Sequence, residues 1–180
     1  MANDQTSRRS EAVNQRFRPS RESWWRLPFS SGTWRGMLFI ILAVPVSLAC
    51  VPLALLGRSQ SAARLQKDLA SKFLALRKPA AGLAAGRVIA HTVLSVPLSV
   101  ASLLLTVYLW SLVAANLAYP LRPGTMESYE TSWGGPTLAG AWAVHAVGGG
   151  LTALFLIPWV VRAVIWLHGR LAHHLLGVGR

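Results

Sequence analysis

Acidic charge is what this sequence has least of. Six Asp and Glu stand among 180 residues, and all charged residues together make up 13%, about half the share of an ordinary soluble domain. With 53% hydrophobic residues and a mean hydropathy of +0.42, the composition points to a membrane protein. Cysteine is nearly absent too. The single Cys50 excludes a disulfide framework or a cysteine metal cage within one chain, and leaves the redox compartment open. There is no glycine-rich phosphate loop with a lysine, no pair of carboxylates and no nucleophile beside a recognisable base, so neither a catalytic residue nor a cofactor site is expected. A cleavable signal peptide is not expected either, because a long polar stretch precedes the first apolar run. Arg8 and Arg9 fail as a twin-arginine signal for the same reason.

What is present is basic charge, with 18 Lys and Arg giving a formal net charge of +12. Such a charge suits nucleic acid or an anionic membrane, and its position decides between them. Residues 1–35 carry seven basic and three acidic side chains, and residues 58–87 carry seven and one. Arg122 stands against Glu127 and Glu130 in residues 119–137, whereas Arg162, Arg170 and Arg180 have no acidic companion. The basic clusters flank apolar runs, which argues for anionic lipid and against nucleic acid. By the positive-inside rule, 1–35, 58–87 and 167–180 read as cytoplasmic and 119–137 as external.

The first 31 residues are rich in Ser, Arg and Gln without apolar periodicity, and read as a disordered basic tail. Trp24, Trp25, Arg26, Trp34 and Arg35 then mix aromatic and basic groups in the manner of a headgroup anchor. The apolar run 36–57 contains Pro45 and Pro52. It fits one span, or a shorter re-entrant hairpin broken at the prolines, which would agree better with the charge rule. In 58–78, Leu65, Leu69, Phe73 and Leu76 recur at helical spacing while Arg64, Lys67, Arg77 and Lys78 take other faces. This is the pattern of a cationic amphipathic helix on a membrane surface, or of a solvated helix packed on a partner.

Residues 88–118 read as a full transmembrane helix. Thr92, Ser95, Ser99, Ser102 and Thr106 share one of its faces, as a packing seam or as the lining of a path. An external loop or short cap, 119–137, leads to a second full span, 138–167, and a basic tail, 168–180. Gly148, Gly149 and Gly150 lie in mid-span and Pro158 nearer its end. The glycines provide close helix contact or, together with Pro45, Pro97 and Pro158, hinges. Trp159, Arg162 and Trp166 read as further headgroup anchors. The fold class is therefore an all-α integral membrane protein with two full transmembrane helices, a shorter N-terminal apolar segment and a cationic amphipathic helix.

His145 falls within a span, where an ionisable group is a functional site or is hydrogen-bonded to a neighbouring helix. His168, His173 and His174 are spaced by five and six residues, which does not align them on one helical face, so no metal site is expected.

The chain also repeats itself. Leu42 to Ala49, LAVPVSLA, matches Leu94 to Ala101, LSVPLSVA, at an offset of 52. Each copy is followed by a basic, Leu-bearing segment, RLQKDL from Arg64 and RLAHHL from Arg170, so the chain reads as two halves of one plan. That repeat, with GTWRGMLFIILAVPVS from Gly32 to Ser47 and IPWVVRAVIWLHGRLAHHLLG from Ile157 to Gly177, resembles the sensor domain at the N-terminus of many actinobacterial sensor histidine kinases. The resemblance covers residues 32–177. It implies a multi-span input module of a two-component system that signals to a cytoplasmic kinase. Residues 1–180 depart from it in a shortened first hairpin and in lacking a dimerisation helix and an ATP-binding domain.

The expected function is a noncatalytic membrane sensor or signal-transduction module relaying a membrane or extracytoplasmic cue. Its expected partners are anionic lipids, a signalling protein such as a histidine kinase, and a second copy of the chain. The alternatives are a small transport subunit, with the hydroxyl stripe and His145 lining its path, and a passive anchor that recruits a partner through 58–78.

Overall fold

The computed structural model describes residues 23–74 and 83–177. Residues 1–22 of the basic tail, together with Leu76, Arg77 and Lys78, lie outside the described residues. A 3-10 turn, Trp24–Phe29, leads into helix α1, Ser31–Leu55. Helix α2 is Ser59–Leu74, α3 is Ala85–Leu117, and α4 is the 39-residue run Leu138–Leu176. No strand forms among the described residues. Helices α1, α3 and α4 are each long and apolar enough to cross a membrane, and this is a multi-pass membrane protein.

The boundaries follow from local chemistry. The Ser30 hydroxyl caps α1 by accepting the Thr33 N–H at 3.3 Å. At the other end Gly57 has φ +73°, its N–H reaching Ala54 O at 3.2 Å while the Arg58 N–H reaches Leu53 O at 2.8 Å. These two bonds are the Schellman arrangement, in which a left-handed glycine closes the last turn. Thr137 starts α4 by accepting the Gly140 N–H at 3.0 Å.

The re-entrant hairpin considered for residues 36–57 does not form. One continuous helix runs through both Pro45 and Pro52. Each proline forfeits one backbone hydrogen bond, whereas a reversal inside hydrocarbon would expose several unpaired N–H and C=O groups. The chain turns back after the helix, at Gly57.

Helix α2 differs from the surface helix read from its leucines. It runs back along α1, with Cys50 Sγ 3.6 Å from Ala62 O near one end and Arg35 donating to Lys72 O at 3.2 Å near the other. Its buried face is Ala62, Ala63, Gln66 and Ala70, while Leu65 is exposed. Small side chains let two helices approach closely, and that gain outweighs covering one leucine. Leu69 and Phe73 pack partly against the main core.

Helix α3 packs along α1 on one side and α4 on the other. It is antiparallel to α1, with Ser47 opposite Ser99 and Met37 opposite Trp110. It is also antiparallel to α4, with Asn116 beside Gly149, Ser102 beside His168, and Arg87 donating to His174 O. The central core joins Phe39, Ile40 and Ala43 of α1 to Leu109 and Val113 of α3 and Ile157 and Val161 of α4. Helix α1 begins beside the middle of α4, where the Trp24 ring lies 5.2 Å from that of Phe155. Beyond that level α3 and α4 continue alone to the cap.

The cap, residues 119–137, is folded. Its short turns are tied together by Tyr119 Oη donating to Ser132 Oγ at 2.9 Å and Thr125 Oγ1 donating to Tyr119 O at 3.0 Å. Arg122 Nε ties it to α3 by donating to Ala115 O at 2.8 Å.

Gly36 marks the tightest approach of α1 to α4, since a Cβ there would meet Val161 Cγ1, and Ile165 Cδ1 at 2.5 Å. Gly36→Leu is expected to destabilise the bundle by about 1–3 kcal/mol through overpacking. Gly86→Leu, with no atom within 4 Å of its Cβ position, should leave stability within about 0.5 kcal/mol. Thermal unfolding of the two variants in detergent tests the α1–α4 contact.

Candidate functional site

The hydroxyl stripe of α3 faces the inside of the chain. Thr92, Ser95, Ser99, Ser102 and Thr106 are all buried, and four of them spend their protons on their own helix. Thr92 Oγ1 donates to Val88 O at 2.9 Å, Ser95 Oγ to Thr92 O at 3.0 Å, Ser102 Oγ to Leu98 O at 2.6 Å and Thr106 Oγ1 to Ser102 O at 2.8 Å. Such back-bonding is how a hydroxyl is accommodated in a helix that water does not reach.

Ser99 is the exception. Its Oγ lies 3.1 Å from Ser47 Oγ of α1. These serines are 52 residues apart, which is the offset of the sequence repeat, so corresponding positions of the two copies meet. Two antiparallel helices related by a local two-fold must present one residue to its own counterpart at the axis. The Met37–Trp110 contact, from Trp110 Nε1 to Met37 Sδ at 3.2 Å, keeps the same antiparallel register ten residues away.

Around this crossing lies a polar pocket. A cavity of about 30 Å³ is lined by Ser47 of α1, Gln66 of α2, His91, Ser95 and Ser99 of α3, and His168 of α4, with Phe39, Val46, Leu69 and Leu74 among its apolar walls. Gln66 Nε2 donates to Thr92 Oγ1 at 3.1 Å. His168 Nε2 lies 3.5 Å from Ser102 Oγ, and its ring meets Phe39 edge-on at 5.1 Å. Gln66 Oε1 and His91 Nδ1 are buried with no protein hydrogen-bond partner. Unpaired polar atoms in a low-dielectric core are costly, so among the described residues this is the least satisfied part of the bundle.

His91 and Gln66 escaped the sequence reading, although His91 stands four residues before Ser95 and eight before Ser99, on the stripe face. His168, grouped by sequence with His173 and His174, faces inward while those two are exposed. Among the described residues no three His, Cys, Asp or Glu side chains gather in a way that could hold a metal ion.

His145 is remote from this pocket. It stacks on Tyr119 with ring centroids 4.0 Å apart, and its Nδ1 lies 2.8 Å from Ala141 O. It therefore belongs to the cap, whereas the hydroxyl stripe faces the interior of the bundle.

The hinge residues fall into distinct settings. Pro45 and Pro97 are exposed and repeat-equivalent, whereas Pro158 is buried. The glycines lie in a π-helical turn, His145–Leu151. A Cβ on Gly149 would meet Asn116 at 2.5 Å and one on Gly150 would meet Leu117 at 3.0 Å, but nothing lies within 4 Å of the Gly148 position. Gly149 and Gly150 are packing glycines and Gly148 is not.

Of the headgroup anchors, Trp24, Trp25, Trp34, Trp159 and Trp166 are all exposed. Arg26 lies 4.7 Å over the Trp25 ring and Arg162 5.7 Å over that of Trp159. Arg64 is exposed and Lys67 half-buried on α2.

No family model, no curated protein and no solved structure matches the chain.

The Ser47–Ser99 contact is expected to show as coupling. In a double-mutant cycle with Ser47→Ala and Ser99→Ala, unfolding in detergent should give a coupling energy of about 0.6 kcal/mol, as for interhelical hydrogen bonds in membranes. Strict additivity would remove this bond from the account of the crossing.

Proposed function

We propose that the chain is a noncatalytic membrane sensor or signal-transduction module that passes a cue from the membrane or the cap to a cytoplasmic signalling partner such as a histidine kinase. The resemblance of residues 32–177 to kinase sensor domains is one support. The observation that carries the reading is the partly satisfied polar pocket between two antiparallel halves. A fully paired polar core fixes one packing, whereas Gln66 Oε1 and His91 Nδ1 are unpaired here, so a rearrangement that gave them partners would recover part of its own cost.

In this mechanism the cap and the pocket are two ends of one lever. A change at Tyr119 and His145 moves the start of α4, the π-turn at His145–Leu151 takes up the rotation, and His168 shifts against Ser102 and Phe39. The movement leaves through the end of α4, where Arg87 holds His174 O. Gly148 is the residue in the turn whose lack of a side chain no packing contact explains. Gly148→Ala removes backbone freedom worth about 1 kcal/mol, which shifts a two-state balance about fivefold.

The test begins with crosslinked recovery of the tagged protein from its native membranes and identification of what accompanies it. A histidine kinase or another signalling protein is expected, and its output should fall about fivefold in Gly148→Ala. Unchanged output, or recovery of transporter components alone, would sink the sensor reading.

A transport subunit is favoured by one observation. His91 and His168 line a cavity at the meeting of two inverted copies, which is where secondary transporters bind their cargo. Reconstituted vesicles are expected to show no proton flux above protein-free controls. Flux that disappears in His91→Phe would reverse the order of the two readings.

A further inference from the structure

The outer face of α4 alternates aromatic and basic side chains. Arg162 lies over Trp159, and Arg170 lies 5.1 Å over the Trp166 ring. No Asp or Glu follows Glu130 in the sequence, so neither guanidinium has an acidic neighbour on its own helix. Between this face and the end of α2 lies a groove of about 510 Å³, a size typical of small-molecule sites. Leu74 of α2 and Trp166 of α4 give it apolar walls, and Arg170, His173 and His174 give it a polar rim. Gly169 notches the lining, because a Cβ there would meet no atom within 4 Å.

We propose that this groove binds one anionic phospholipid, its phosphate against Arg170 and the His174 imidazole, and an acyl chain along Leu74 and Trp166. Arginine is the side chain best suited to phosphate oxygens, and a tryptophan in the last turns of a membrane helix belongs at headgroup level. The apolar wall beside the cationic rim calls for an amphiphile. Inorganic phosphate alone would leave Leu74 and Trp166 uncovered. The inference goes beyond the sensor reading and stands or falls separately from it.

Native mass spectrometry of the purified full chain, delipidated and then offered phosphatidylglycerol or phosphatidylcholine, tests this directly. One phosphatidylglycerol should be retained about tenfold more strongly than phosphatidylcholine. Arg170→Gln should lose that tenfold preference, and Arg64→Gln, a cation outside the groove, should keep it. Gly169→Leu fills the notch without changing charge and raises helix propensity, so it separates loss of the site from loss of the fold. It should abolish retention. Equal retention of the two lipids, equal effects of Arg64→Gln and Arg170→Gln, or undiminished binding in Gly169→Leu would each overturn the site, the second by showing diffuse attraction.

Discussion

The antiparallel crossing of α1 and α3 at Ser47 and Ser99 is the constraint on which the remaining arrangement depends. Helices in lipid gain little from burying leucine against leucine, so they associate where small or hydroxyl side chains let backbones come close. Each copy of the repeat provides one such serine on its inner face and one proline, Pro45 or Pro97, on its outer face. Once the serines meet, the direction of both helices is set. Helix α2 must then return along α1, and α4 along α3. The pocket is where these two returning helices bring Gln66 and His168 up to the crossing, beside His91 of α3.

The outer faces of the three long helices are mainly apolar, with Leu38, Ile41 and Leu48 exposed on α1, Ile89, Val93 and Leu104 on α3, and Leu151, Leu156 and Leu167 on α4. Exposed cations stand among them at Arg35, Arg87, Arg162 and Arg170, and on α2 at Arg64 and Lys72. The charge pattern had grouped residues 1–35 with 58–87, and the fold joins them in a more local way, since Arg35 donates to the Lys72 carbonyl. Cations from both segments thus meet at one level of the bundle, beside α4.

Much of this was legible in the sequence because hydropathy and periodicity act over long windows. Three apolar runs gave three long helices, and the hydroxyl stripe gave a buried seam. The repeat was visible in the sequence, but that Ser47 and Ser99 meet at its offset of 52 is read only from the fold. The failures are local. In α2 the apolar spacing predicts Leu65, Leu69 and Phe73 as the contact face, but alanine allows a closer approach to α1, so Ala62, Ala63 and Ala70 turn inward with Gln66, Leu69 and Phe73 pack only partly on the core, and Leu65 is exposed. His91 was overlooked because a histidine does not resemble the hydroxyls it stands with, although its spacing was theirs. Pro45 and Pro52 suggested a break, and in a segment with no water to replace lost backbone bonds the helix continues past them.

The π-turn is the other place where local sequence and packing have to be weighed together. A π-turn holds one more residue than the α-helical path needs, and survives where side chains compensate the displaced bonds. Here Thr152 Oγ1 donates to Val147 O at 3.2 Å, and His145 Nδ1 lies 2.8 Å from Ala141 O, just before the turn. Gly149 and Gly150 are required by Asn116 and Leu117 across the interface, which fixes the turn against the end of α3. Their neighbour Gly148 is required by no contact. An α-helix with alanine there would be more stable by its own propensity. The turn lies between the Tyr119–His145 stack and the His168 pocket, and in the proposed sensor mechanism it is the element that carries displacement from one to the other.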